Sequence, residues 1–172
     1  MASEIRIRQA RSEDLEHLLA LNESEVPHVN SVPLALFEWY AREAAYFRVA
    51  VADDTPVGFL AGLAPGMPHT SRYFLWFREH YTDFVYIDRV VVASSHRRLG
   101  VAAGLYSDIV TTFRHRASML ACEVNLLPRN EPSLRFHARM GFDQVGTLTT
   151  ENGAKVVSLL VKRLGARGAP EA

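Results

Sequence analysis

FVYIDRVVV (84–92), ASS (93–95) and HRRLGVAAGLYSDIV (96–110) run on from one another, and this segment decides the fold. Its first part is almost entirely apolar, as a strand buried on both faces should be. Its last part carries Ala102, Leu105 and Ile109, with Phe113 beyond, at helical spacing on one side. SMLACEVNLL (118–127) is a second buried strand, so the whole reads as a parallel, right-handed βαβ crossover. Two arginines and a glycine therefore stand at the carboxyl end of a buried strand, at the mouth of its following helix, where ligands gather in open α/β sheets.

Cations at a helix N-terminus oppose the macrodipole. Two readings follow. Either Arg97 and Arg98 are solvated loop residues and Gly100 punctuates a turn, or an anion lies between the guanidiniums and the helix. Gly100 lets a ligand approach the backbone closely, and Ala102 and Ala103 keep the first turn narrow. Free amides, helix dipole and guanidinium charge together suit a phosphate. No G-x-x-x-x-G-K-[ST] is present and no G-x-G-x-x-G follows a strand, which argues against a generic mononucleotide fold.

Outward from this segment, EIRIRQA (4–10) alternates as a half-buried strand, and Ser12 is expected to cap a helix with the stripe Leu15, Leu18 and Leu19. Pro33 suits the first turn of a second helix. YFRVAVA (46–52) and VGFLAGLA (57–64), joined by DDTP, read as an antiparallel hairpin. An aromatic insertion, PGMPHTSRYFLWFREHY (65–81), contains a short helix around Tyr73–His80. Past the crossover, Asn130 caps a helix from Glu131 to Met140, Gly141 supplies its left-handed end, and Asn152-Gly153 turns a last hairpin. The element order, β-α-α-β-β-β-α-β-α-β-β apart from the insertion, makes a mixed α/β fold. It predicts one domain over residues 1–164 and a flexible tail over 165–172.

The chain has 172 residues, enough to bury a core without disulfides or metal. Its formal net charge is zero, so nothing global draws in nucleic acid or an anionic membrane, and anion binding has to be local. Cys122 is the single cysteine and reads as a core thiol. The opening MASEIRIRQA lacks the apolar run of a signal peptide, and no segment has the length of a membrane span, so the expectation is a soluble cytoplasmic protein. The seven histidines show no ligand spacing with one another or with the cysteine, and no metal is expected.

VVVASSHRRLGVAAGLY (90–106) resembles the acyl-CoA-binding motif of the GNAT superfamily of N-acyltransferases, a buried strand followed by [QR]-x-x-G-x-[GA], through Arg97, Gly100 and Ala102. NEPSLRFHARMGF (130–142) is similar to the family's later signature, N-x-x-[SA]-x-x-[FL]-Y-x-x-x-GF, through Asn130, Ser133, Phe136, Gly141 and Phe142. The two motifs stand in the family's order, and the likeness covers roughly residues 4 to 164. More narrowly, YFRVA, WF and YIDRVVV resemble a bacterial group of predicted acetyltransferases. The resemblance implies a central mixed, mostly antiparallel sheet of about seven strands with helices on both faces. It implies acetyl-CoA as acyl donor, its diphosphate on the amides of Arg98, Leu99, Gly100, Val101, Ala102 and Ala103, with Arg97 or Arg98 as counter-charge. Its pantetheine would pair with Val90, Val91 and Val92, and Asn130, Ser133 and Phe136 would complete the coenzyme site.

Transfer to an amine needs a base for the nucleophile, an oxyanion donor and a proton for the thiolate. Asp88 and Glu123 are carboxylates in apolar strands; each either pairs structurally or serves as the base. A backbone N–H near Val91 or Val92 is the implied oxyanion donor. His137 stands where the family has a tyrosine acid; it either donates the proton or is a helix-face contact. Acidic and aromatic residues of the variable segments suit a cationic amine: Glu25 and His28 between the first two helices, Trp76 in the insertion, and Asn125 on the strand face of Glu123. Aromatic residues there equally suit core packing. The function expected is N-acetyl transfer to a primary amine of a small molecule, amino acid or peptide by direct attack; a non-catalytic acyl-CoA sensor is the alternative. The last apolar strand and its hairpin offer a surface for a homodimer.

Overall fold

A computed structural model describes residues 4–165. In chain order its elements are β1 (Ile5–Gln9), α1 (Leu15–Ser24), α2 (Leu34–Glu43), β2 (Tyr46–Ala52), β3 (Thr55–Leu63), α3 (Arg72–His80), β4 (Val85–Val92), α4 (Val101–Phe113), β5 (Met119–Leu127), α5 (Glu131–Arg139), β6 (Asp143–Thr150) and β7 (Lys155–Arg163). The fold is mixed α/β, with a seven-stranded, mostly antiparallel sheet in the order β1-β2-β3-β4-β5-β7-β6, in which β4 and β5 are parallel. Of the expected tail 165–172, all but Gly165 lies outside the described residues. No helix among the described residues is long and apolar enough to cross a membrane.

The chain divides into two compact units, Met1–Leu63 with Ile87–Ile109, and Ala64–Tyr86 with Val110–Ala172. In the first, β2 and β3 turn on two residues. Ala52 pairs directly with Thr55, and Asp53 and Asp54 are both left-handed, with φ of 47° and 62°. That is the geometry that matches strand twist in a two-residue hairpin. The strand thus resumes two residues earlier than expected, and a bulge between Ala50 and Val51 lies opposite Pro56, which has no N–H for the ladder. Phe37 of α2 packs its ring on Phe59 (5.3 Å) and Phe47 (6.2 Å), all three fully buried. Ser12 is not the cap of α1. Ser12–Asp14 is a 3-10 turn in which the buried Asp14 carboxylate accepts the Arg11 N–H (2.8 Å) and both Nη groups of Arg8 (2.7 and 2.8 Å). The bonds from Arg8 hold the Asp14 carboxyl below its usual range, and three donors to one carboxylate outweigh what a hydroxyl could offer.

In the second unit β5, β7 and β6 form an antiparallel run, and Val85 and Tyr86 of β4 face Leu120 and Ala121 in parallel register. The aromatic insertion forms a full nine-residue helix, α3, which adds a fifth helix to the expected order. Phe74 and Phe77, one turn apart, bury against Phe84 and Tyr86 with ring centroids 5.5–6.2 Å apart. Asn130 caps α5 by accepting the Ser133 N–H (3.2 Å), and Gly141 ends it at φ 80°. Asn152 and Gly153 are left-handed (φ 52° and 93°) between the paired Thr150 and Lys155, as the Asn-Gly signal requires.

Candidate functional site

In the first unit, β4 ends at a fixed point. The Ala93 N–H donates to the Val57 carbonyl (2.8 Å), and a 3-10 turn over Ser94–His96 leads into an exposed turn, Arg97–Gly100. Arg98 and Gly100 are left-handed, with φ of 62° and 82°. The first bond of α4 runs from the Gly104 N–H to the Gly100 carbonyl (2.8 Å), so the amides of Val101, Ala102 and Ala103 precede the helical ladder. Turns of this kind aim successive N–H groups to one side and make anion-binding concavities. A Cβ on Gly100 would meet nothing within 4 Å, so the space over the turn is open, while the Val101 side chain, 2 % exposed, anchors the helix start in the core. Leu99 projects into solvent. Beneath the turn, a Cβ on Gly58 would lie 2.9 Å from the Val91 oxygen, 3.1 Å from Val101 and 3.4 Å from Val92; β3 thus lies directly against the end of β4. Val91 is buried, and Val90 and Val92 are half-buried.

Strand β4 departs from the expected burial on both faces at Asp88–Val90, which are half-buried in succession. Asp88 accepts a short hydrogen bond from the Tyr40 hydroxyl of α2. Arg89 donates through Nη1 to Asn22 Oδ1 (2.6 Å) and the Asn30 carbonyl (3.0 Å). Asn22, fully buried, donates in turn to Glu23 (3.0 Å) and to the Asn30 carbonyl (3.1 Å). Glu23 also accepts from Ser31 (2.7 Å) and the Val32 N–H (3.2 Å), and these bonds, the Ser31 hydroxyl foremost, hold its carboxyl below the usual range. Arg97, expected at the phosphate, forms an ion pair with Glu25, expected at the acceptor. The Glu25 carbonyl accepts the His28 N–H (2.8 Å), and the His28 side chain is exposed.

In the second unit, Glu123 accepts the Tyr86 hydroxyl (2.7 Å). The His69 ring lies 6.4 Å from that of Tyr86, and its Nδ1 accepts the Ser71 N–H (3.1 Å). Burial pushes the neighbouring Cys122 thiol well up. His137 is 5 % exposed, and its Nδ1 lies 2.8 Å from the Ser133 carbonyl. A carbonyl only accepts, so Nδ1 carries the proton. Burial lowers the pKa of the ring below the ordinary 6.5, partly offset by that bond, so the imidazole is neutral at pH 7 with its lone pair on Nε2. Phe136 and Phe142 meet the ring edge to face, at 5.3 and 5.2 Å. Asn130, Ser133, Phe136 and His137 are thus one cluster on α5. Trp76 stacks on His80 (3.9 Å) and lies over Gly146. Asn125 is half-buried, and its carbonyl accepts the Asn130 N–H (3.0 Å). No three His, Cys, Asp or Glu side chains among the described residues are grouped as metal ligands would be.

Sequence reasoning missed Asn22, Tyr40, Tyr86 and Arg89. Asn22 had a signal, since it continues the Leu15–Leu18 stripe at helical spacing and a polar residue there must be bonded when buried. Tyr40 and Tyr86 carry no local mark, because packing and hydroxyl bonding look alike in sequence.

Residues 8–142 match the model of the acetyltransferase (GNAT) family. No curated protein matches the chain. Several solved structures share its fold. The ribosomal-protein-S18-alanine N-acetyltransferase of Escherichia coli has 12 % identity and a TM-score of 0.73, covering 98 % of this chain and 99 % of that one. Arabidopsis thaliana NAA60, solved with a bisubstrate analogue, has 18 % identity and a TM-score of 0.74, covering 93 % and 98 %. An aminoglycoside 6'-N-acetyltransferase complexed with coenzyme A has 17 % identity and a TM-score of 0.75, covering 95 % and 99 %.

Proposed function

The chain belongs to the acetyltransferase (GNAT) family, and on that premise we propose that it transfers an acetyl group from acetyl-CoA to a primary amine of a small molecule, amino acid or peptide, by direct attack. The observation that carries this reading is the turn over Arg97–Gly100. Its left-handed residues, open surface and three amides ahead of the α4 ladder fit the diphosphate of coenzyme A. Arg98 supplies the counter-charge. The backbone at the end of β4, from Val90 to Val92, serves the pantetheine as an added strand would.

The amine must be neutral to attack. Each of the two candidate carboxylates accepts a tyrosine hydroxyl, Asp88 from Tyr40 and Glu123 from Tyr86, and the base is the one whose amide variant loses turnover. The nitrogen–carbon bond forms as the carbonyl oxygen gains charge, which a backbone N–H at Val91 or Val92 stabilises. The carbon–sulfur bond then breaks, and the thiolate takes a proton from solvent. His137 does not supply that proton, because its only N–H is committed to Ser133. Cys122, buried and with its pKa raised, has no part as a nucleophile.

The neutral state of His137, in place of the tyrosine acid, also favours a second reading, an acyl-CoA sensor without turnover. One pair of measurements separates the two. Calorimetry with coenzyme A should saturate at one site per chain, and acetyl-CoA mixed with a panel of primary amines should release thiol only in the presence of the protein. Binding without thiol release across the panel would favour the sensor. Absence of binding would remove both readings.

A further inference from the structure

Of the two arginines in the turn before α4, Arg97 is the one that faces a carboxylate among the described residues. Arg97 pairs with Glu25, whose side chain is 11 % exposed, whereas the Arg97 side chain is 51 % exposed. Moving Arg97 onto a phosphate would strand a largely buried carboxylate, and a broken pair of that kind is costly. Glu25 is itself the node of the loop between α1 and α2. Its carbonyl accepts the N–H groups of His28 (2.8 Å) and Val29 (3.3 Å). Further along the same loop, the Asn30 carbonyl is held by Arg89 and Asn22. The loop therefore hangs from β4 through Arg89 and from the phosphate turn through Arg97. Arg97 is followed by the strained, left-handed Arg98, so a ligand that fixes the amides after Arg98 also fixes the backbone that presents the Arg97 guanidinium.

We propose that Arg97 is a positioning residue that joins the coenzyme turn to the α1–α2 loop through Glu25, so that coenzyme binding steadies that loop. The inference rests on the coenzyme reading above, and it assigns Arg97 to the loop rather than to the diphosphate. Energetic coupling of this sort runs through directly contacting groups, and the chain of contact here is a single ion pair.

The test is hydrogen exchange of residues 26–32, with and without saturating coenzyme A, in the wild type, Arg97→Gln, Glu25→Gln and the reversed pair Glu25→Arg/Arg97→Glu. In the wild type, coenzyme A should slow exchange across the loop at least threefold. Each single variant should bind coenzyme A within about threefold of the wild-type Kd, which is under 1 kcal/mol, yet lose the slowing. The reversed pair should regain it. A variant that binds coenzyme A and keeps the slowing overturns the inference and leaves the coenzyme reading intact. So does a loss of coenzyme affinity of tenfold or more in Arg97→Gln without one in Glu25→Gln, since Arg97 would then be a phosphate ligand. Wild-type protein that takes up no coenzyme A removes the coenzyme reading and this inference with it.

Discussion

The Tyr40 hydroxyl donates to the Asp88 carboxylate and so fastens α2 to the middle of β4. Burial first, and then the charge of Asp88, pushes the phenol pKa far above the ordinary tyrosine value, so Tyr40 remains a donor at working pH. Tyr40→Phe leaves a half-buried carboxylate short of one donor and should cost about 1–3 kcal/mol, read as a lower urea midpoint with an unchanged slope. Coenzyme affinity should not change.

The two carboxylates should then part in kinetics. Of Glu123→Gln and Asp88→Asn, one is expected to lower kcat by roughly 10²–10⁴, the usual worth of a general base, and the other to change it by less than about tenfold. Asp88→Asn, which removes the partner of the Tyr40 hydroxyl, should also lower stability. Wild-type kcat in both variants would remove the carboxylates from the chemistry.

Gly100 holds a backbone conformation that costs an L-residue roughly 1–2 kcal/mol, yet the space around its Cβ position is open. Gly100→Val should therefore fold, with a lowered melting temperature, and bind coenzyme A at least about tenfold more weakly, a loss of about 1.4 kcal/mol or more. Arg98→Gly separates charge from geometry. It relaxes a left-handed arginine and should raise stability, while coenzyme binding weakens and becomes less sensitive to salt. Unchanged affinity in both variants would place the coenzyme elsewhere.

What sequence made legible was local. The crossover, the Asn130 cap, the Gly141 terminus and the Asn152-Gly153 hairpin all rest on periodicity or on backbone preferences of single residues, and all are found. The left-handed turn over Arg97–Gly100 was legible for the same reason, since Gly100 marks it. Side-chain partners were not. Nothing in the segment around Arg97 points to Glu25, seventy-two positions earlier, and nothing around Asp88 points to Tyr40, forty-eight positions away. A carboxylate in a strand could be recognised as needing a partner, but the partner is fixed by tertiary packing. The 3-10 start of α1 escaped because a carboxylate held by Arg8 overrode the commoner serine cap.

Gly58 shows the same packing from the other side. An alanine methyl there would sit 2.9 Å from the Val91 oxygen, a backbone atom that cannot rotate away. Gly58→Ala should push β4 off β3 at Val91–Val92 and cost about 1–3 kcal/mol, as overpacking does. Because the displaced residues lead into the phosphate turn, coenzyme affinity should fall along with stability, whereas in Gly66→Ala, where a Cβ meets nothing within 4 Å, neither should change. A Gly58→Ala protein with wild-type affinity would show that the end of β4 takes no part in coenzyme binding.

His137 provides the last test, because its burial has consequences for both stability and chemistry. Its pKa in the folded protein lies below 6.5, chiefly through burial, so below about that pH the unfolded chain binds more protons than the folded one. Its contribution is therefore complete above pH 6.5 and is lost as the pH falls through the folded value. Urea unfolding at pH 7.5 and 5.0 should show a larger loss for the wild type than for His137→Phe, whose ring keeps the edge-on contacts to Phe136 and Phe142. Equal losses would mean that the imidazole is not buried as a neutral group. For chemistry, His137→Phe should retain kcat to within about tenfold, a change in barrier of about 1.4 kcal/mol. A loss of 10²–10⁴, the range expected on removing a general acid, would require the Ser133 bond to open during turnover and would return the proton-donor role to His137.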